Sequence, residues 1–384
     1  MSFPELSFTD LAAPGIADLA PYQPGKPVSE IAREYGVSDV VKLASNENPL
    51  GPSPKALAAA REAAAEAHRY PDGAAYELRE RVAAEHNVAP EQITFGNGSN
   101  DCLDLIARCF LAPGRSAVYA RHAFAIYAIA TRSAGADAIA ARARPETDAQ
   151  PLGHDLDAMA DAITGDTRVV FVANPNNPTG TWESGEAIER FLERVPSEVV
   201  VVLDEAYIEY AREAEGYVDG RRWLEAYPNL VLVRTFSKGY GLPGLRVGYA
   251  LSSPEIADLL NRVRHPFNVN AVAQAAAVAA LDDGDHVAQA VVLNREQRPR
   301  LARGCRELGL GVLPSAGNFI CVDTGGDADA VHEALLREGV IVRPLGGYQL
   351  PQHLRVSVGT GEENDRLLTA LANLRSANRL PGVV

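Results

Sequence analysis

The chain has 384 residues, 47% hydrophobic and 22% charged, the balance of a globular protein long enough for more than one core. Its net charge of −14 argues against nucleic acid or an anionic membrane surface as the main partner, so an anionic ligand would need local arginines to capture it. The four cysteines, Cys102, Cys109, Cys305 and Cys321, form no CxxC pair and have no histidine-rich neighbourhood, which argues against zinc or any other metal and reads as buried thiols in a reducing cytosol.

Residues 1–45 are rich in Pro and Gly, with PYQPGKP at 21–27, and read as an arm or linker, not a core element. The opening residues carry no basic n-region or long apolar core, and no stretch is long and uncharged enough to span a membrane, so a cytoplasmic location is expected. Residues 54–68 predict a helix started by Pro54, and 75–87 a second. A short strand at 93–95 leads into Gly96-Asn97-Gly98 and a helix reaching about residue 110. Strands at 117–119, 168–173, 199–204, 230–235 and 247–250 alternate with helices at 124–133 and 185–194. Continuous apolar runs such as VVVVLD are those of buried parallel strands, and the alternation predicts a mostly parallel sheet covered on both faces. Helices at 271–281 and 285–308 then give way to short strands near 319–323, 340–342 and 354–358, a smaller α+β domain. The expected division is residues 1–45 as arm and part of the small domain, 46–275 as the large domain and 276–384 as the small one.

Four segments carry chemistry. Lys238 lies just past an apolar strand, preceded by Ser237 and followed eight positions on by Arg246. Lysine forms a Schiff base with an aldehyde, and a hydroxyl with a fixed guanidinium suits a phosphate. Together they suggest pyridoxal phosphate (PLP). Gly96–Asp101 stands at a strand-to-helix junction, where free N–H groups bind phosphate. Asn174–Gly180, NPNNPTG, follows a buried strand, the end at which α/β sheets place ligands, and its Asn177-Pro178 bond is a candidate cis peptide. Asp204 ends VVVVLD and can hold a pyridine nitrogen protonated; Tyr207, three residues on, can bond the ring hydroxyl. An N-cap aspartate would explain Asp204 alone, but not the lysine 34 residues later.

With these motifs the chain resembles the fold type I PLP-dependent aminotransferases and, among them, the histidinol-phosphate aminotransferases. The likeness runs through PYQPGKP, LASNENPLGPSP at 43–54, HRYPDG at 68–73, GNGSND, NPNNPTG, LDEAY, TFSKGYGLPGLRVG at 235–248, GNF at 317–319 and VRPLGGYQLPQHLRVSVGT at 342–360. It departs at Pro243, where a small residue is more usual, and at Ala74-Ala75 after YPDG.

The resemblance implies a role for each matching residue. Lys238 carries the cofactor and moves the proton. Asp204 pairs with the ring nitrogen, Asn177 and Tyr207 hold the ring hydroxyl, and Phe124 stacks on the ring. Ser99, Asn100, Ser237 and Arg246 hold the cofactor phosphate. Tyr70 reaches the neighbouring subunit's cofactor phosphate, which implies a homodimer with shared active sites. Arg355 and Arg343 face a substrate phosphate, and Tyr22 and Asn46 line the substrate pocket. The implied reaction passes the amine of L-histidinol phosphate to 2-oxoglutarate, giving imidazole-acetol phosphate and L-glutamate. An aromatic amino acid aminotransferase, with Arg355 on a carboxylate, is an alternative, as is a decarboxylase of the threonine-phosphate type. A non-catalytic PLP-binding regulator would need a DNA-binding domain and basic patch, for which the sequence offers no room.

Overall fold

The computed structural model describes residues 7–21, 25 and 27–382. Its larger sheet has seven strands in the order Ile93–Gly96, Gly248–Leu251, Leu230–Thr235, Val200–Asp204, Thr167–Ala173, Ser116–Ala120 and Asp137–Ala141. All neighbours are parallel except those of Gly248–Leu251, which runs against both strands beside it. The Val-rich central strands are buried along their whole length, as expected of strands covered on both faces. This sheet and its helices enclose the larger core, built from residues between Ala56 and Ala280.

A second core lies between a four-stranded sheet and the helices Gly284–Glu307, Ala328–Arg337 and Gly361–Ser376. The order in that sheet is Arg343–Leu345, Leu350–Ser357, Phe319–Asp323, Gly311–Val312, antiparallel throughout. The Gly361–Ser376 helix is started by a capping box: Thr360 Oγ1 accepts from the Glu363 N–H, and Glu363 accepts from the Thr360 N–H.

The reading of residues 1–45 as lying outside any core is corrected. Val28–Tyr35 is a helix with Ile31 buried, and Val41–Lys42 pairs in parallel with Val340–Ile341. Leu43 is built into the second core, its N–H donating to Ile341 O at 2.8 Å and its carbonyl accepting from Ser357 N at 2.8 Å. Proline and glycine signal irregular backbone only where they stand, and the residues after Pro27 are free to form regular structure.

Candidate active site

The parallel strands deliver their carboxyl ends to one edge of the sheet, and three of the motifs stand there: Asn174–Gly180, Asp204–Tyr207 and Ser237-Lys238. A cavity of about 190 Å³ opens at this edge, walled on its other side by Ala44–Asn46 and by Arg343 and Arg355 of the second sheet.

At one end of the cavity the helix Ser99–Phe110 begins with no side-chain cap, so its first N–H groups are available to an anion. Ser99, Asn100, Ser237 and Arg246 all line this end. Arg246 Nη1 donates to Ser237 Oγ at 3.3 Å and to the Pro243 carbonyl at 3.1 Å. The carbonyl of Pro243 thus helps aim the guanidinium. Two glycines make the cradle possible. Gly98, at φ +87°, leaves the space that the Arg246 guanidinium fills, and a Cβ on Gly248 would press against Ser99 N at 2.5 Å.

Lys238 lines the cavity with its Nζ donating to Ser45 O at 2.8 Å. Burial, with the Arg355 cation as the next cause, pulls its amine down to about 7, against the pull of Glu47. Asp204 is buried; its Oδ2 accepts from Tyr127 OH at 2.8 Å and its Oδ1 from Ala206 N at 3.1 Å. Burial pushes this carboxyl up to about 6, with those two hydrogen bonds opposing. A cation at Asp204 would restore its charge.

Asn177 and Arg355 meet, the arginine's Nη1 donating to Asn177 Oδ1 at 2.6 Å and its Nη2 to Ala44 O at 2.6 Å. Nε of Arg355 is buried with no partner among the described residues. Phe319, of the GNF motif, lies under both the Arg355 guanidinium (5.7 Å) and the Tyr207 ring (5.1 Å). Arg343 stands opposite Arg355 across the strand pair and lines the same cavity. Phe124 is a further wall, edge-on to Tyr127 at 5.9 Å.

One expected residue stands elsewhere, and one cannot be placed among the described residues. Tyr70 is 83% exposed and stacked on Phe267 at 4.8 Å, away from the cavity of its own chain. Tyr22 lies outside the described residues. Asn46 lines the cavity, but its amide Nδ2 donates to Tyr207 OH at 2.9 Å. Ala74-Ala75 causes no gap in bonding: Asp72 accepts from the N–H groups of Ala74 and Tyr76 and so starts the helix Tyr76–His86. Asn177–Pro178 is cis, and so is Asn174–Pro175.

Sequence reasoning missed Tyr127, which lines the cavity and bonds Asp204, and Ser357, which reaches the site through Asn46. Tyr127 stands in the first turn of the helix Ile126–Ser133, where an aromatic residue reads equally well as core.

The residues present fit PLP. A neutralisable lysine suits its aldehyde, an aspartate its ring nitrogen, an uncapped helix with Ser237 and Arg246 its phosphate, and Asn177 with Tyr207 its ring oxygen.

Fold and cavity together define a two-core α/β protein with a half-buried lysine and an uncapped helix start at the carboxyl edge of its sheet. The chain belongs to the family of class I and II aminotransferases, whose model matches residues 38–371. It is 59% identical to histidinol-phosphate aminotransferase 2 of Pseudomonas aeruginosa, across 96% of this chain and 98% of that one. It is 55% identical to histidinol-phosphate aminotransferase 1 of Dechloromonas aromatica, across 95% and 99%. Among solved structures, the histidinol-phosphate aminotransferase of Sinorhizobium meliloti in complex with pyridoxal-5'-phosphate superposes with a TM-score of 0.86 at 29% identity, covering 98% and 99% of the two chains. The aspartate aminotransferase of Thermus thermophilus with maleate gives 0.78 at 26%, covering 93% and 97%.

Proposed function

We propose that the protein is a PLP-dependent aminotransferase that exchanges the amine of L-histidinol phosphate with 2-oxoglutarate, a step of histidine biosynthesis. The observation that carries the substrate reading is the pair Arg343 and Arg355, register partners on adjacent strands that both line the cavity. Two guanidinium groups suit a phosphate dianion, whereas a single carboxylate needs one. The relatives at 54–59% identity over almost the whole chain support the same substrate.

Bound PLP supplies an electron sink for the charge left when the substrate's Cα loses its proton. Lys238 would hold the cofactor through Nζ, and its amine, poised near neutrality, would take and return the substrate's Cα proton. Asp204 would set its carboxylate against the ring nitrogen and keep that nitrogen protonated, and Tyr127 holds the carboxylate in place. Asn177 and Tyr207 bind the ring oxygen, Phe124 covers the ring, and Ser99, Asn100, Ser237 and Arg246 hold the cofactor phosphate. Arg343 and Arg355 grip the substrate anion, with Asn46 bordering it.

A homodimer with shared sites follows from the same reading. The exposure of Tyr70, outside the cavity of its own chain, supports its serving a partner's cavity. The working location is the cytoplasm; among the described residues no helix is long and apolar enough to cross a membrane. The division into an arm that is part of the small domain, a large domain from residue 46 to 275 and a small domain after it is part of this proposal, supported by Leu43 in the second core.

Product analysis tests the reaction class. Protein loaded with PLP and given L-histidinol phosphate and 2-oxoglutarate is expected to form glutamate in step with imidazole-acetol phosphate and to release no CO₂. CO₂ release from an added phosphorylated amino acid, without glutamate, would move the assignment to decarboxylation.

A further inference from the structure

Ser357 ends the strand Leu350–Ser357, two positions after Arg355, so the two side chains leave the same face of that strand. Arg355 acts on Asn177, and Ser357 acts on Asn46. Ser357 Oγ accepts the Asn46 backbone N–H at 2.7 Å and lies 3.1 Å from Asn46 Oδ1. An amide oxygen cannot donate, so the single hydroxyl proton of Ser357 is the one shared with Oδ1.

That bond decides which way the Asn46 amide faces. Oδ1 is turned to Ser357, and Nδ2 is therefore turned to Tyr207 OH, 2.9 Å away. Tyr207 then receives a hydrogen bond from Asn46 and keeps its own proton to give elsewhere. With the amide reversed, Oδ1 would take the tyrosine proton, and the hydroxyl would have none left for the cavity. The rest of Asn46 is clamped: it is buried, sits at φ +53°, and its carbonyl accepts from Asn318 Nδ2 at 3.0 Å. Asparagine is one of the few residues that tolerate this backbone region.

We propose that Ser357 is a positioning residue that fixes the Asn46 amide and thereby makes Tyr207 a hydrogen-bond donor to the ring oxygen of PLP. The inference rests on the PLP reading of the site. A donor at that oxygen stabilises its anionic form, so the nitrogen joining Lys238 to the cofactor releases its proton more readily. The charged groups facing Lys238 are Arg355, Glu47, Arg246 and Lys42, and those facing Tyr207 are Arg355, Asp204 and Tyr348. A change at Ser357 replaces none of them.

The test is a pH titration of the visible absorption of the PLP-loaded protein, without substrate, for the parent, Ser357→Ala, Ser357→Cys and Ser357→Thr. Ser357→Ala and Ser357→Cys are expected to raise the midpoint by about 0.5 unit or more, a roughly threefold tighter hold on the proton. Ser357→Thr keeps the hydroxyl and is expected to titrate like the parent. If Ser357→Ala does not fold, the near-isosteric Ser357→Cys carries the test. An unshifted midpoint in loaded Ser357→Ala or Ser357→Cys overturns the inference alone. An equal shift in all three variants also overturns it, since packing would then be the cause. A parent that binds no PLP at a lysine overturns both this inference and the reading beneath it.

Discussion

Arg355 Nη1 donates to Asn177 Oδ1 at 2.6 Å, joining a strand of the second sheet to the loop that leaves the first. An anion that engages Arg355 therefore acts on the residue proposed to hold the cofactor's ring oxygen.

The two arginines should consequently fail differently. Arg343→Gln is expected to raise KM for L-histidinol phosphate by roughly 10–100-fold with kcat nearly unchanged, the cost of one charge-assisted bond to phosphate. Arg355→Gln removes the bond to Asn177 as well, and should lower kcat in addition to raising KM. Steady-state kinetics of the two variants separate these patterns; equal losses in kcat would contradict the assignment.

The Lys238 amine, pulled down to about 7 by burial and by Arg355, sets the rate at which the protein takes up PLP. Only the unprotonated amine attacks an aldehyde. Uptake by cofactor-free protein should thus be slow below pH 7, rise through about pH 7 and level off above it, as read by stopped-flow absorbance. An ordinary lysine would keep rising toward pH 10. Lys238→Ala is expected to lose at least roughly 10³-fold in transamination.

Asp204 and Tyr127 form one unit, since the tyrosine hydroxyl is buried and its proton goes to the carboxylate. Asp204→Asn keeps the size and removes the charge, and should cut kcat by about 10²–10³-fold. Tyr127→Phe retains the ring stacked on Phe171 and loses only the hydroxyl, with an expected fall of about 10-fold in kcat. The double variant should be no worse than Asp204→Asn by more than about threefold, because the second change removes a bond to a group already altered.

Behind the site, Arg234 and Glu205 form a fully buried ion pair, joined by Asp219 and by His86 against the guanidinium. Arg234 Nη2 donates to Glu205 Oε2 at 2.7 Å. Arg234→Met leaves Glu205 buried without its countercharge and should destabilise the fold by about 3–5 kcal/mol, as measured by urea unfolding.

The half of the cavity proposed to hold the cofactor draws its residues largely from strand-end motifs, which is why the sequence brings them forward. Ser237, Lys238 and Arg246 come from one run of ten residues, and Asp204 and Tyr207 from another of four. The alternating apolar runs likewise gave the central strands nearly to their ends. The edge strand Asp137–Ala141 escaped because DAIAA is alanine-rich and half-exposed, with little of the β-branched signal of its neighbours. Helices such as Pro254–Val263 and Gly361–Ser376 went unassigned although their caps, Ser253 and Thr360, are plain in hindsight. Ser357 and Tyr127 were not legible at all. Each acts through a partner more than 70 positions away, and only the register of strands and the packing of a helix bring the pair together.

The most direct test of the account is a single half-reaction followed by absorbance. PLP-loaded protein is mixed with L-histidinol phosphate, and separately with L-phenylalanine, with no oxo acid present. Fast loss of the visible band of the lysine-bound cofactor with L-histidinol phosphate, and little change with L-phenylalanine, is the predicted result. A faster response to L-phenylalanine would contradict the two-arginine reading of the substrate and place the protein with the aromatic aminotransferases.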